Sequence, residues 1–186
     1  MRVITGSARG RNLITLEGED VRPTTDRVKE ALFSIIQFEI EGRKVLDLFS
    51  GSGQLGIEAL SRGAEKAVFV DSSKKSLEVT KKNLENTRLI EKAVLLNRES
   101  ISYLRTASET FDIVFLDPPY KTGLLQKALG EIDKVVSPGG VVICEAPKDE
   151  ELPKDIGSRF QSKKYNYGRI SLTVYRAATI GSELFE

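Results

Sequence analysis

The chain has 186 residues, 40% of them hydrophobic, a net charge of +1 and a single cysteine. That is material for one folded domain, and it excludes a disordered chain or one held by disulfides. The absence of histidine excludes histidine triads, histidine general bases and histidine-ligated zinc, so chemistry falls to carboxylates, hydroxyls, backbone groups and a cofactor.

Residues 2–16 read as a short hairpin or irregular arm around Ala8-Arg9-Gly10-Arg11. A basic arm over 1–20 and a core over 21–186 are expected to form a single domain. Thr24 or Thr25 can cap a helix running to about Glu39, with Leu32, Phe33, Ile36 and Phe38 as its apolar bulk. From Lys44 onward short apolar runs alternate with helical patterns. Strands are predicted over 44–49, 67–70, 93–96, 111–116 and 141–145. Leu77, Thr80 and Leu84 recur at helical spacing behind a cap at Ser72-Ser73. Leu125, Ala128, Leu129, Ile132 and Val136 form a second helical stripe that stops at Pro138-Gly139-Gly140. Cys144 lies within an apolar run and reads as a small buried side chain. Finally, 160–165 and 170–175 flank Asn166-Tyr167-Gly168-Arg169 and predict an antiparallel hairpin closing the sheet edge. Apolar strands alternating with amphipathic helices imply an α/β fold, a mostly parallel sheet covered on both faces. No signal-peptide pattern or long apolar stretch occurs and there is one cysteine, so a soluble protein of a reducing, cytoplasmic compartment is expected, and it is expected to be a monomer.

Three motifs sit at predicted strand ends, where an open α/β sheet places its ligand crevice. Asp117-Pro118-Pro119-Tyr120 follows Ile113-Val114-Phe115-Leu116 and puts a carboxylate, two stiff prolines and an aromatic ring in one loop. Gly51-Ser52-Gly53-Gln54-Leu55-Gly56 is a G-x-G-x-x-G between strand and helix, where the backbone must approach a ligand closely. Asp71 ends the next strand and can accept from both hydroxyls of an adenosine ribose. NAD and S-adenosylmethionine both suit this arrangement. Asp47, just inside the first strand's end, favours a cationic sulfonium and ammonium over a pyrophosphate. It can also act as an acceptor that organises the loop. The charge is uneven: residues 1–16 and 156–182 hold no acid and carry +8 together, which leaves −7 for the rest. Basic ends fit a polyanion, with Arg2, Arg9 and Arg11 as phosphate-binding candidates near the catalytic mouth and Lys163, Lys164 and Arg169 as weaker ones.

Taken together, the chain resembles the RsmD family of small-subunit (16S) ribosomal RNA guanine-N2 methyltransferases, class I enzymes dependent on S-adenosylmethionine. The likeness runs from Met1 to about Arg176. Its most specific part is Arg22-Pro23-Thr24-Thr25-Asp26-Arg27-Val28-Lys29-Glu30-Ala31-Leu32-Phe33. It implies a Rossmann-like sheet of seven strands with a short N-terminal β arm, no metal, and 16S ribosomal RNA or the small subunit as partner. It further implies that Arg22, Pro23 and Thr24 approach the methionine end of the cofactor and that Gly51, Ser52 and Gly53 line its backbone. Asp71 would hold the ribose, and Glu99 takes the place of an aspartate that commonly faces the adenine. Asp47, Phe49, Ser72 and Ser100 complete the cofactor set. Asp117 and the Pro118 carbonyl would orient the guanine amine, while Pro119 shapes the loop and Tyr120 stacks on the base. Three other readings share some of these residues. They are an N6-adenine or N4-cytosine DNA methyltransferase, a nucleotide-binding oxidoreductase, and a non-catalytic RNA-binding module.

Overall fold

The computed structural model describes residues 1–16 and 25–177. Five strands run parallel: β1 (Lys44–Leu48), β2 (Lys66–Asp71), β3 (Ala93–Asn97), β4 (Phe111–Leu116) and β5 (Val136–Pro147). Between them stand α2 (Gln54–Ser61), α3 (Lys74–Thr87), α4 (Ser100–Thr106) and α5 (Leu124–Glu131), and α1 (Asp26–Ile35) precedes β1. β7 (Arg159–Tyr167) and β8 (Ile170–Ala177) form the predicted hairpin, and β8 adds antiparallel to β5. The order across the sheet is β3-β2-β1-β4-β5-β8-β7-β6. The eighth strand, against seven expected, is the two-residue β6 (Asp155–Ile156) at the edge.

Strand side chains alternate between two cores, as the pleat requires. Val45, Phe69, Ile113, Phe115, Val141 and Ile143 face one cluster, which includes Leu32 and Phe33 of α1, Ile57 of α2 and Leu77 of α3. Leu46, Val68, Val114, Leu116, Val142 and Cys144 face the other, with Leu104 of α4 and Leu125 and Leu129 of α5. Cys144 is fully buried and burial raises its thiol pKa, which makes it inert packing. Both faces being covered is what made these strands near-continuous apolar runs in the sequence.

Two helix limits differ from expectation. Thr25 caps α1, its hydroxyl accepting from the Val28 amide, but the helix ends at Ile35 and Phe38 stands 94% exposed beyond it. The last stripe also breaks early. α5 stops at Glu131, a 3-10 helix covers Ile132–Val135, and Val136 already pairs with Phe111 in the sheet. The β-branched pair Val135-Val136 suits a strand, and Asp133 is held by Ser158 and Arg159. Among the described residues no helix is long and apolar enough to cross a membrane.

The N-terminal arm is a narrow hairpin with one antiparallel bridge, Arg2 to Asn12, and backbone bonds Val3 to Arg11 and Leu13 to Met1. Its outgoing limb lies on α2: Glu58 accepts the Ile4 and Thr5 amides at 2.8 and 3.0 Å, and Ser61 accepts those of Ser7 and Ala8. Its return limb lies on α3, where Asn83 exchanges hydrogen bonds with Ile14 in both directions.

Candidate cofactor and acceptor cleft

The carboxyl ends of β1, β2, β3 and β4 open into one cleft of about 750 Å³. Its wall contains Asp47, Phe49, Gly51, Ser52, Asp71, Ser72, Glu99, Ser100, Asp117, Pro118, Pro119 and Tyr120. Residues 70 positions apart in sequence are thereby brought to one space. Gly53 stands behind this wall as the cap of α2, in a left-handed conformation with φ +80°. Arg22, Pro23 and Thr24 lie outside the described residues.

The glycine loop is shaped by short-range necessity. Phe49 leaves β1 at φ +69°, an uncommon value for a side chain of this size, and its amide bonds to the Val70 carbonyl. Gly56 presses α2 onto β2 so closely that a Cβ there would lie 2.3 Å from the Phe69 ring. Helix α3 supplies the remaining ties. Thr80 donates to the Gly51 carbonyl and Asn83 to that of Ser52. Asn83 therefore joins the arm to the glycine loop. The sequence reading missed it because a polar residue on a helix's buried face looks like a break in the apolar stripe.

Asp71, Glu99 and Asp47 in the wall each have a structural task. Asp71 accepts the Gly51 amide with one oxygen and the Ser73 amide with the other, at 2.9 and 2.8 Å. Glu99 caps α4 by accepting from Ile101 and Ser102, and these amides hold its carboxyl below the usual range. Asp47 accepts the Gly56 amide at 2.9 Å, so its role as loop organiser is present. Burial pushes the Asp47 carboxyl up to about 7; the Gly56 hydrogen bond opposes this, and neighbouring Asp71 adds to it. Ser50 Oγ and Gln54 Oε1, on two residues that also line the cleft, are buried with no hydrogen-bond partner among the described residues. Such orphans suit a polar ligand at this end.

The Asp117–Tyr120 loop is stiff. Pro118 and Pro119 fix φ, Lys121 turns the chain at φ +61°, and Thr122 donates back to the Pro119 carbonyl at 2.7 Å. The Tyr120 hydroxyl donates to Glu145 of β5 at 2.9 Å.

The arm also contributes to the cleft, which the sequence did not reveal: Met1, Thr15 and Leu16 line it. Arg2 follows Met1 in the chain and pairs with Asp26 at 3.5 Å. Arg9 and Arg11 do not lie near the mouth. The arm's tip packs on Ser61, the last residue of α2, and Arg11 donates to Asn86 near the end of α3. Both helices begin at the cleft and run away from it, so those arginines stand at the far ends of α2 and α3, exposed. The basic C-terminal stretch is also partly internal. Arg159 is buried against Asp133 and the Val136 and Ser137 carbonyls, and Arg176 makes a two-pronged pair with Glu39.

Comparison with known proteins agrees with this geometry. The family model described as Conserved hypothetical protein 95 matches residues 1–176. "Ribosomal RNA small subunit methyltransferase D" of Haemophilus influenzae is 39% identical over 82% of this chain and 81% of its own length. Its namesake from Escherichia coli K12 is 37% identical over 97% of this chain and 92% of its own. A solved Escherichia coli chain, provisionally described as the methyltransferase yhhF, superposes with a TM-score of 0.85 at 31% identity, covering 96% of this chain and 99% of that one. The chain therefore belongs to the Conserved hypothetical protein 95 family, which is the RsmD family that its motifs resemble.

Proposed function

We propose that this protein transfers a methyl group from S-adenosylmethionine to the exocyclic N2 amine of a guanine in 16S ribosomal RNA. The observation that carries the reading is the shared cleft: the Asp117–Tyr120 loop opens onto the same space as the glycine loop, Asp71 and Glu99. Family membership supports the substrate class, since relatives are named small-subunit ribosomal RNA methyltransferases.

The cofactor supplies an electrophilic methyl group on a sulfonium. Asp71 and Glu99 would hold ribose and adenine with the lone pairs their backbone bonds leave unused. Asp47 and the orphaned oxygens of Ser50 and Gln54 would face the methionine end. A guanine amine is a poor nucleophile because its lone pair is delocalised into the ring. Asp117 and the Pro118 carbonyl accept hydrogen bonds from its two N–H groups and turn the lone pair out of conjugation, so catalysis is orientation and charge stabilisation in a fixed frame. The methylated nitrogen is strongly acidic, and its proton passes to Asp117 or water. Tyr120 provides the stacking surface, a contact worth ~1–3 kcal/mol per base in single-strand binders. Arg2 would meet phosphates beside the mouth, whereas Arg9 and Arg11 would reach RNA only past the far ends of α2 and α3.

Asp47 gives this reading a pH signature. With its pKa near 7 it is largely protonated at pH 6 and ionised at pH 8. In the free protein its pKa lies above that of an unfolded aspartate. Its stabilising contribution is therefore complete in acid and is lost as pH rises through about 7. A cationic ligand reverses that preference, so affinity for S-adenosylmethionine should rise about tenfold from pH 6 to pH 8, following the ionised fraction. Titration calorimetry should show this slope in the wild type and lose it in Asp47→Asn.

The function is tested by incubating the protein with methyl-labelled cofactor and either unmodified small ribosomal subunits, their naked RNA, or DNA oligonucleotides. Label in ribosomal RNA is expected. Transfer to DNA alone would favour the DNA methyltransferase, and tight NADH binding without S-adenosylhomocysteine binding would favour the oxidoreductase.

A further inference from the structure

Asn83 lies on the buried face of α3, with none of its surface exposed. Its side-chain amide makes three hydrogen bonds, and they reach two different segments. The oxygen accepts the Ile14 amide at 2.8 Å, and the nitrogen donates to the Ile14 carbonyl at 3.0 Å and to the Ser52 carbonyl at 2.9 Å. Both of its N–H groups are thereby used, and turning the amide over would set its oxygen against two carbonyls. Ile14 belongs to the return limb of the arm and Ser52 to the glycine loop. The next two arm residues, Thr15 and Leu16, line the cleft together with Ser52, and a Cβ placed on Gly51 would meet Leu16 at 3.9 Å. Among the described residues, the neighbours of Asn83 on α3 tie one segment each. Thr80 holds the glycine loop through Gly51, and Asn86 holds the arm through Asn12. Asn83 sets the spacing between the two walls.

We propose that Asn83 is a positioning residue that couples docking of the N-terminal arm to cofactor binding. The inference rests on the function proposed above, which makes S-adenosylmethionine the occupant of the cleft. A cofactor seated between the arm and the glycine loop favours the state in which they are joined. By linkage, the joined arm raises cofactor affinity by the same factor that the cofactor raises arm docking. Couplings between sites run to roughly 5–150-fold, and about tenfold is expected for the three bonds of one buried amide.

Amide hydrogen exchange read by NMR tests the coupling in the wild type. Saturating S-adenosylhomocysteine should slow exchange about tenfold at the arm amides of Val3, Leu13 and Ile14, as well as at Gly51 and Gly53 of the loop. Asn83→Leu fills a similar space without the three bonds. In that variant slowing should persist at the glycines and drop below about threefold in the arm, while calorimetry shows affinity for S-adenosylhomocysteine reduced about tenfold. Thr87→Val is the control. Thr87 is buried one turn further along α3 and donates to the Asn83 and Leu84 carbonyls, so its loss weakens the helix and leaves the ties to arm and loop in place. Affinity in Thr87→Val should stay within about threefold of wild type. A merely structural role for Asn83 would lower affinity in both variants in step with their stability in urea, and that result overturns the proposal. Arm amides that S-adenosylhomocysteine leaves unslowed in the wild type overturn it without any variant, as does undiminished slowing in Asn83→Leu. A wild type that binds no S-adenosylhomocysteine sinks the proposed function together with the coupling, whereas binding with an indifferent arm sinks the coupling alone.

Discussion

Asp117→Ala should reduce methyl transfer by roughly 10²–10³-fold or more, the range seen when a preorganised group at a reacting centre is removed. Asp117 lies in a loop whose course is set by prolines and by the Thr122–Pro119 bond, so its deletion leaves the cleft's frame in place. The glycine loop is held separately, by Asp71, Thr80 and Asn83. Binding of S-adenosylhomocysteine should therefore stay within about threefold of wild type by the same additivity of separate sites. Asp117→Asn separates two contributions. It keeps an acceptor oxygen but not the charge, so it should retain measurable turnover, roughly 10- to 100-fold below wild type. Single-turnover kinetics with excess enzyme reads both variants. An alanine variant with more than about a tenth of wild-type turnover would remove Asp117 from the reaction.

The largest effect on stability is expected at Glu58. This carboxylate is completely buried in α2; it accepts three hydrogen bonds, from the amides of Ile4 and Thr5 and from Arg62 at 2.8 Å, and it pairs with the ammonium of Lys29 at 3.6 Å. Lys29 is equally buried; its ammonium also donates to the Arg2 carbonyl, and burial lowers its pKa despite the attraction of Glu58. Glu58→Ala leaves that ammonium without its ion partner and two arm amides without acceptors, which should cost about 3–5 kcal/mol. For a chain of this size that is a fall in melting temperature of roughly 10 °C. The partners are not equivalent. Lys29→Met leaves Glu58 with three donors and should cost about 1–2 kcal/mol, close to one charged hydrogen bond. Because the arm supplies Met1, Thr15 and Leu16 to the cleft, cofactor affinity should fall with Glu58→Ala more than with Lys29→Met. Urea titration and calorimetry measure both. Equal costs for the two substitutions would contradict this division of roles, in which Glu58 is the shared acceptor and Lys29 one of its partners.

This pair also shows where the sequence was silent. The strand-helix alternation was legible because the central parallel strands are apolar on both faces and the glycine loop and the Asp117–Tyr120 motif follow real strand ends, whereas Pro138-Gly139-Gly140 falls inside β5. The cleft wall followed from the same rule, since motifs at carboxyl ends of neighbouring parallel strands must converge. What escaped depends on long sequence separations between polar groups. Glu58 lies 54 residues from Ile4, Asn83 lies 69 from Ile14, and Glu145 lies 25 from Tyr120. No periodicity encodes such pairs. Lys29, inside the segment most specific to the family, read only as part of a motif, although its visible work is to pin the arm. Charge was misread for a related reason: Arg159 and Arg176 count as basic surface in a sequence but are engaged by Asp133 and Glu39. Arg9 and Arg11 were misplaced because an arm that folds back on itself carries its tip away from the site its ends adjoin.

If the Asp117 loop presents a guanine amine to the methyl donor, the modified nucleoside must record it. Small subunits methylated by the protein with labelled cofactor, then digested to nucleosides and resolved by mass spectrometry, should carry the label as N2-methylguanosine. Label on adenine N6, on cytosine N4 or on a ring carbon would contradict the account.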